Sequence, residues 1–232
     1  RLALPCTVAS PQQAMPSGVD GILGVDSLRR FAAVTLDWAS STLMLHSTLA
    51  DLSSSTDSSA AAGAPTCVEM PMEMRRVSAG ELPFVAAAFG SSSDEKLRCE
   101  LEALVDTGSP VTMCTPELAA QSGMAGSSDP NDDIMTTGVD GQPTRMRASR
   151  CEVLALGSSS ATRVAHFDAI CYAGSCPMMV AVGWTGMPAA LLGLDVLRGG
   201  VKAGQPPAAA AGGPKMGALT LDFERRWLVV RA

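Results

Sequence analysis

The stretch Leu104-Val105-Asp106-Thr107-Gly108-Ser109 decides how this chain is read. An aliphatic run from Glu100 to Val105 has the composition of a strand, and it delivers a carboxylate into a tight turn. The turn glycine lets a second backbone approach closely. A carboxylate at such a strand end is held by backbone and poorly hydrated. Taken alone, Asp-Thr-Gly-Ser is also an ordinary turn, because Asp, Gly and Ser are common turn formers. Its context carries more. Thr115-Pro116-Glu117-Leu118 follows with the hydroxyl cap, first-turn proline and acidic residue of a short helix, which Gly123 stops. Far downstream comes Leu191-Leu192-Gly193, opening the run Leu-Leu-Gly-Leu-Asp-Val-Leu over 191–197.

The ending of the chain is written twice. Gly21-Ile22-Leu23-Gly24-Val25-Asp26-Ser27-Leu28-Arg29 matches the run that ends at Arg198, and Val34-Thr35-Leu36-Asp37-Trp38 matches Leu219-Thr220-Leu221-Asp222-Phe223. Two copies of one ending imply two copies of one domain. The second copy carries its Asp-Thr-Gly upstream of its Leu-Gly-x-Asp, and the first begins too late to hold one. With Arg1 in place of a methionine, the expectation is the C-terminal part of a longer protein whose missing part carries the first copy's aspartate.

The joint pattern of Asp106-Thr107-Gly108-Ser109 and Leu191-Leu192-Gly193, over roughly residues 66–232, resembles the retropepsin-like aspartic proteases. That resemblance implies an acid-protease-like fold, mainly β: a small closed barrel or sandwich of short strands with one or two short helices. It implies catalytic roles around Asp106, with the Thr107 hydroxyl braced against an opposing lobe, Gly108 donating backbone near the carboxylate and Ser109 hydrogen-bonding it. Thr112 falls where the family has a second hydroxyl supporting the loop. Leu191, Leu192 and Gly193 would pack beneath the turn, Gly193 by close approach. A hairpin at Thr137, Gly138, Val139, Asp140 and Gly141 would be the flap over substrate, and Asp-Gly between two extended runs is a hairpin signal in its own right. Pro110, Met113 and Cys114 depart from the usual residues of the family's loop.

The implied reaction is peptide hydrolysis. Two carboxylates held close share one proton, because like charges repel. The ionised member takes a proton from a bound water while the protonated one polarises the scissile carbonyl. Such a site needs no cofactor or metal. Its partners are a polypeptide substrate and a second lobe, either the missing first repeat or a second copy. The alternative is a catalytically silent protease-like domain that binds peptides or mediates dimerisation.

Composition narrows the field. At 232 residues and 47% hydrophobic, the chain can bury a real core. A net charge of −6 and 4% aromatics argue against nucleic acid, which needs a basic face or stacking platforms. Arg145, Arg147 and Arg150 read as the solvated side of a strand. The uncharged stretch between Asp168 and Asp195 is long enough for a bilayer, but its prolines and glycines and its Leu-Leu-Gly ending exclude membrane insertion. Seven irregularly spaced cysteines fit buried thiols better than a disulfide framework, with Cys171 and Cys176 the pair most able to bridge.

Organisation follows from these signals. Residues 1–46 form the tail of a first repeat, residues 47–65 a Ser/Ala-rich linker, and residues 66–232 the protease-like lobe. Strands are expected at Leu82 to Phe89, Leu97 to Val105, Cys151 to Leu156 and Arg163 to Ile170, with Leu219 to Phe223 and Trp227 to Val230 as a closing hairpin. Asp195 and Asp26 are expected to cap short helices. Gly199 to Gly217 reads as a surface loop. His46 and His166 are isolated and read as satisfied histidines, not bases. Asp129, Asp132, Asp133 and Asp140 lack the alternation of a calcium loop.

Overall fold

The structure, a computed structural model, describes residues 23–50, 67–77, 80–90, 95–137, 143–157, 164–175, 179–180, 182–198 and 217–231. Most of the linker, the Ala/Pro-rich insertion after Arg198, Cys176 and the tip Gly138, Val139, Asp140 and Gly141 therefore lie outside the described residues.

The chain is mainly β. Its strands are β1 (Ala33–Asp37), β2 (Thr42–His46), β3 (Cys67–Val77), β4 (Gly80–Gly90), β5 (Cys99–Val105), β6 (Met113–Cys114) and β7 (Ala125–Gly126). They continue as β8 (Ile134–Thr137), β9 (Pro143–Leu156), β10 (Val164–Ala173), β11 (Ala190–Leu192), β12 (Ala218–Asp222) and β13 (Trp227–Arg231). The helices α1 (Val25–Leu28), α2 (Pro116–Gln121) and α3 (Leu194–Leu197) are short. Among the described residues no helix is long and apolar enough to cross a membrane.

One sheet of 13 strands accounts for this inventory. Because β4 pairs with both β5 and β9, the run β4-β5-β11-β6-β10-β9 closes on itself, giving the small barrel expected from the short strands. Closure removes the free edges that an open sheet exposes. The extended run that follows the Asp-Gly turn and the strand expected at Cys151 to Leu156 are one strand, β9. Its first half pairs with β8 and its second half with β4, so a single long strand serves the β8–β9 hairpin and the barrel wall. Cys99, not Leu97, opens β5, since Glu95–Leu97 coils into a 3-10 turn.

The barrel interior is filled by Phe89, Leu118, Leu154, Leu156 and Leu192 among others, all essentially inaccessible. A second cluster, with Phe84, Leu104, Met113, Met146, Tyr172 and Leu191, lies under the β8–β9 hairpin and takes in Ile134. Each Leu or Phe so buried contributes about 1.5–3 kcal/mol.

β3 leaves the barrel through Cys67–Pro71 and pairs with β13, which continues through β12 and β1 to β2. The two like-sequence segments fold alike: each is a short helix followed by a hairpin. Asp37 Oδ1 accepts the Ser40 amide, and Asp222 Oδ1 accepts the Arg225 amide, three residues on in both cases. Each turn then places a non-glycine residue in the left-handed region, Ser41 at φ 54° and Arg226 at φ 60°. β1 and β12 pair antiparallel with Thr35 opposite Thr220, so the strands are related by a local two-fold axis between those threonines. The flanking bonds obey the same symmetry: Trp38 N–H donates to Gly217 O and Phe223 N–H to Ala32 O.

Candidate active site

Asp106 follows the last residue of β5. Parallel pairing sets Leu191 beside Leu104 and Leu192 beside Val105, and antiparallel pairing sets Leu191 against Met113. β11 thus lies between the strand entering the turn and the strand leaving it, with Leu191 and Leu192 at zero exposure. The Asp106 amide donates to Leu192 O at 3.0 Å, tying the acid to the Leu-Leu-Gly motif.

The carboxylate is gripped by its own turn. Asp106 Oδ1 accepts the Gly108 amide at 2.8 Å, and the Ser109 amide donates to Asp106 O at 3.2 Å. Burial pushes the Asp106 carboxyl above the usual carboxylate range, while the amides of Gly108 and Ser109 pull it down less strongly. Among the described residues no basic side chain forms an ion pair with it. Thr107 is half-buried, Gly108 is exposed and Ser109 is buried.

Behind the turn lies a polar knot. Thr112, at zero exposure, donates its amide to Asp195 Oδ2 at 3.0 Å and its hydroxyl to Asp195 Oδ1 at 2.8 Å. The same hydroxyl accepts the Gly193 amide at 3.1 Å. Leu194 N–H donates to Ser109 O at 2.9 Å and Asp195 N–H to Pro110 O at 3.3 Å. Burial raises the Asp195 carboxyl too, opposed by the Thr112 bonds. This network ties residues 109–112 to residues 193–195. Buried polar groups satisfied in this way hold a loop in one geometry.

Three expectations change. No second backbone approaches Gly108, where an added Cβ would meet the residue-106 carboxylate alone, at 3.1 Å; the close approach expected at Gly193 is there, an added Cβ lying 2.2 Å from Val111 O. The Ser109 hydroxyl donates to Val111 O at 2.6 Å instead of to Asp106, because the turn points it along the chain. Asp195 and Asp26 are not helix caps: Gly193 and Gly24 occupy those positions, without side-chain cap bonds. Asp195 sits two positions past the cap, inside the first turn, and its carboxylate reaches across to Thr112.

Asp195 is therefore the site residue that sequence reasoning misplaced. The signal was present, since Asp recurs at the same place in both endings. Of the flap positions, Thr137 lies in β8 opposite Pro143 of β9, and the tip between them is outside the described residues. Thr115 does cap α2, accepting the Leu118 amide at 3.3 Å. His46 is buried and bonded to Thr35 at 3.0 Å.

No family model and no curated protein sequence matches the chain. A solved structure described as a retropepsin-like aspartic protease from Rickettsia conorii resembles it distantly in overall fold. The TM-score is 0.37 and the identity 14%, over 72% of this chain and 93% of that one.

Proposed function

We propose that this chain supplies one half of an aspartic-type endopeptidase site, with Asp106 as one carboxylate of a water-activating pair. The observation that carries the reading is the state of Asp106. It is a part-buried acid at a barrel strand end, gripped by turn amides, unpaired with any described cation and held above the usual proton affinity by burial. An acid kept only for structure is ordinarily neutralised by a cation or spent on capping, as Asp133 is on Arg145 and the Ala148 amide.

The opposing carboxylate comes from a second lobe, an upstream repeat or another copy, facing Asp106 across a water. Close carboxylates retain one proton between them. The ionised one deprotonates the water as it attacks the peptide carbonyl, and the protonated one donates to the carbonyl oxygen, so a tetrahedral diol forms without a covalent enzyme intermediate. The substrate is an extended polypeptide, with Thr137, Gly138, Val139, Asp140 and Gly141 as the flap above it. Thr107, Gly108 and Ser109 orient the acid, and Thr112, Leu191, Leu192 and Gly193 support the turn.

Hydrolysis of an unstructured protein such as casein between pH 4 and 7, by the natural protein and its Asp106→Asn variant, tests this. Cleavage that disappears in the variant supports the pair. Equal cleavage in both removes it. Peptide binding without cleavage in either returns the chain to the catalytically silent reading.

A further inference from the structure

A cavity of about 280 Å³ lies where the β12–β13 turn meets the barrel wall. Strand alternation points Val85, Ala87 and Ala103 into the barrel interior, so Phe84, Ala86 and Glu102 face the other way. Phe84 and Ala86 of β4 form the cavity floor, with Glu73 of β3 opposite Phe84 and Glu102 of β5 opposite Ala86. The Met72 amide donates to Arg226 O at 2.8 Å, which brings the turn and its arginine to the rim. Glu102 lies four residues before Asp106 on β5, about 13 Å along the strand.

The charges of the cavity are sorted by side. On the barrel side, Arg75 serves both Glu73, at 2.9 Å, and Glu102, and its guanidinium carbon stands 5.4 Å from the centroid of the Phe84 ring. Two carboxylates on one guanidinium leave a negative charge in surplus. Glu102 Oε2 is inaccessible to solvent and makes no hydrogen bond besides its ion pair with Arg75. On the turn side, Arg226 is exposed, and no described residue forms an ion pair with it. A simple cation in the cavity meets Arg226 and a simple anion meets the glutamates, whereas a zwitterion answers both sides.

Length narrows the ligand further. Adjacent strands lie about 4.8 Å apart, so β3 and β5 are separated by about 10 Å. The side chains of Glu102 and Arg226 reach inward and shorten that span. An extended dipeptide covers about 7 Å. We propose that this cavity binds a short peptide with both ends free, its ammonium on Glu102 and Glu73, its carboxylate on Arg226, and its body over Phe84 and Ala86. The inference goes beyond the hydrolysis assigned to Asp106 and needs no turnover.

Titration of the isotope-labelled 232-residue chain with the dipeptide Ala-Ala, followed by NMR, tests it. The amides of Met72, Glu73, Ala86, Gly157 and Arg226 are expected to shift and saturate. N-acetyl-Ala-Ala and Ala-Ala-amide should each bind at least about tenfold more weakly, because each loses one charge-assisted contact. Arg226→Gln, at an exposed position, should weaken Ala-Ala by the same factor and leave the affinity for Ala-Ala-amide unchanged. Ala86→Leu fills the floor and should abolish binding. Absence of saturable shifts at these amides overturns the proposal. So does equal binding of either blocked peptide, or an Arg226→Gln variant that melts like the parent and binds Ala-Ala as tightly. Free alanine binding as tightly as Ala-Ala also overturns it, assigning the cavity to amino acids. Asp106→Asn should leave the affinity for Ala-Ala unchanged, so failure of the hydrolytic reading and failure of this one are distinguishable.

Discussion

Thr35 and Thr220 face each other where the two hairpins meet, their Oγ1 atoms 2.9 Å apart, and each is the same position of its own segment. The pair extends to His46, whose Nε2 lies 3.0 Å from Thr35 Oγ1, so one buried hydroxyl serves both a threonine and an imidazole. Replacing Thr35 by Val keeps the shape and strands both partners, and an unsatisfied buried polar group costs about 1–3 kcal/mol. Thr220→Val removes one bond but leaves the Thr35 hydroxyl on His46, so it strands neither group. Urea unfolding should therefore rank Thr35→Val below Thr220→Val and both below the parent. The reverse order would show that His46 finds another partner.

The Asp106 carboxyl has a folded pKa above its unfolded value of 3.8, so the native state binds that proton more tightly than the unfolded one. Its contribution to stability is fully present below pH 3.8 and is lost as pH rises through the folded value. Above that, the ionised acid burdens the fold by a constant amount. Asp106→Asn removes the burden, so its urea midpoint should exceed the parent's at pH 7, with the gain shrinking to nothing as pH falls below 3.8. Asp195 carries a shift of the same sign in both proteins and cancels from the difference. A variant less stable than the parent at pH 7 would mean that the turn amides outweigh burial.

What could be read in advance divides along the range of the forces. Strand character, the Thr115 cap and the Asp-Gly hairpin are local, and the strands β8 and β9, the helix α2 and the closing hairpin stand where composition put them. The duplicate ending was visible as text, yet only coordinates show that Thr35 lies against Thr220 instead of apart, because register between distant strands leaves no local mark. The misplacement of Asp195 has the same origin. An acid near a helix start satisfies a capping pattern, and the competing partner, Thr112, lies 83 residues away in sequence.

Cys114, Cys151 and Cys171 sit together in the barrel core at zero exposure. Burial first, then the neighbouring Cys151, raises the Cys114 thiol to about 12; contact with Cys151 and burial raise Cys171 well above its usual range. The thiolate is the reactive form, so these three should resist iodoacetamide at pH 8 in the folded protein and react fully in denaturant, as mass spectrometry of the labelled peptides would show. Labelling of Cys151 or Cys171 in native buffer would reveal opening of the barrel between β9 and β10.

Gly193 and Gly24 occupy the same place in the two segments, which makes them a matched pair of substitutions. A Cβ at 193 would meet the backbone of Val111 at 2.2 Å from its oxygen and 2.3 Å from its carbon, and neither atom can give way without moving the turn that carries Asp106. A Cβ at 24 would meet only the Asp26 side chain, at 2.6 Å from Oδ1, and an exposed carboxylate can rotate aside. Gly193→Ala should therefore cost about 4 kcal/mol or more, in the range reserved for gross steric conflict. Gly24→Ala should cost less than about 1 kcal/mol in the 232-residue chain, since a surface change away from a packed contact is nearly neutral. Thermal melts of the two variants measure the contrast.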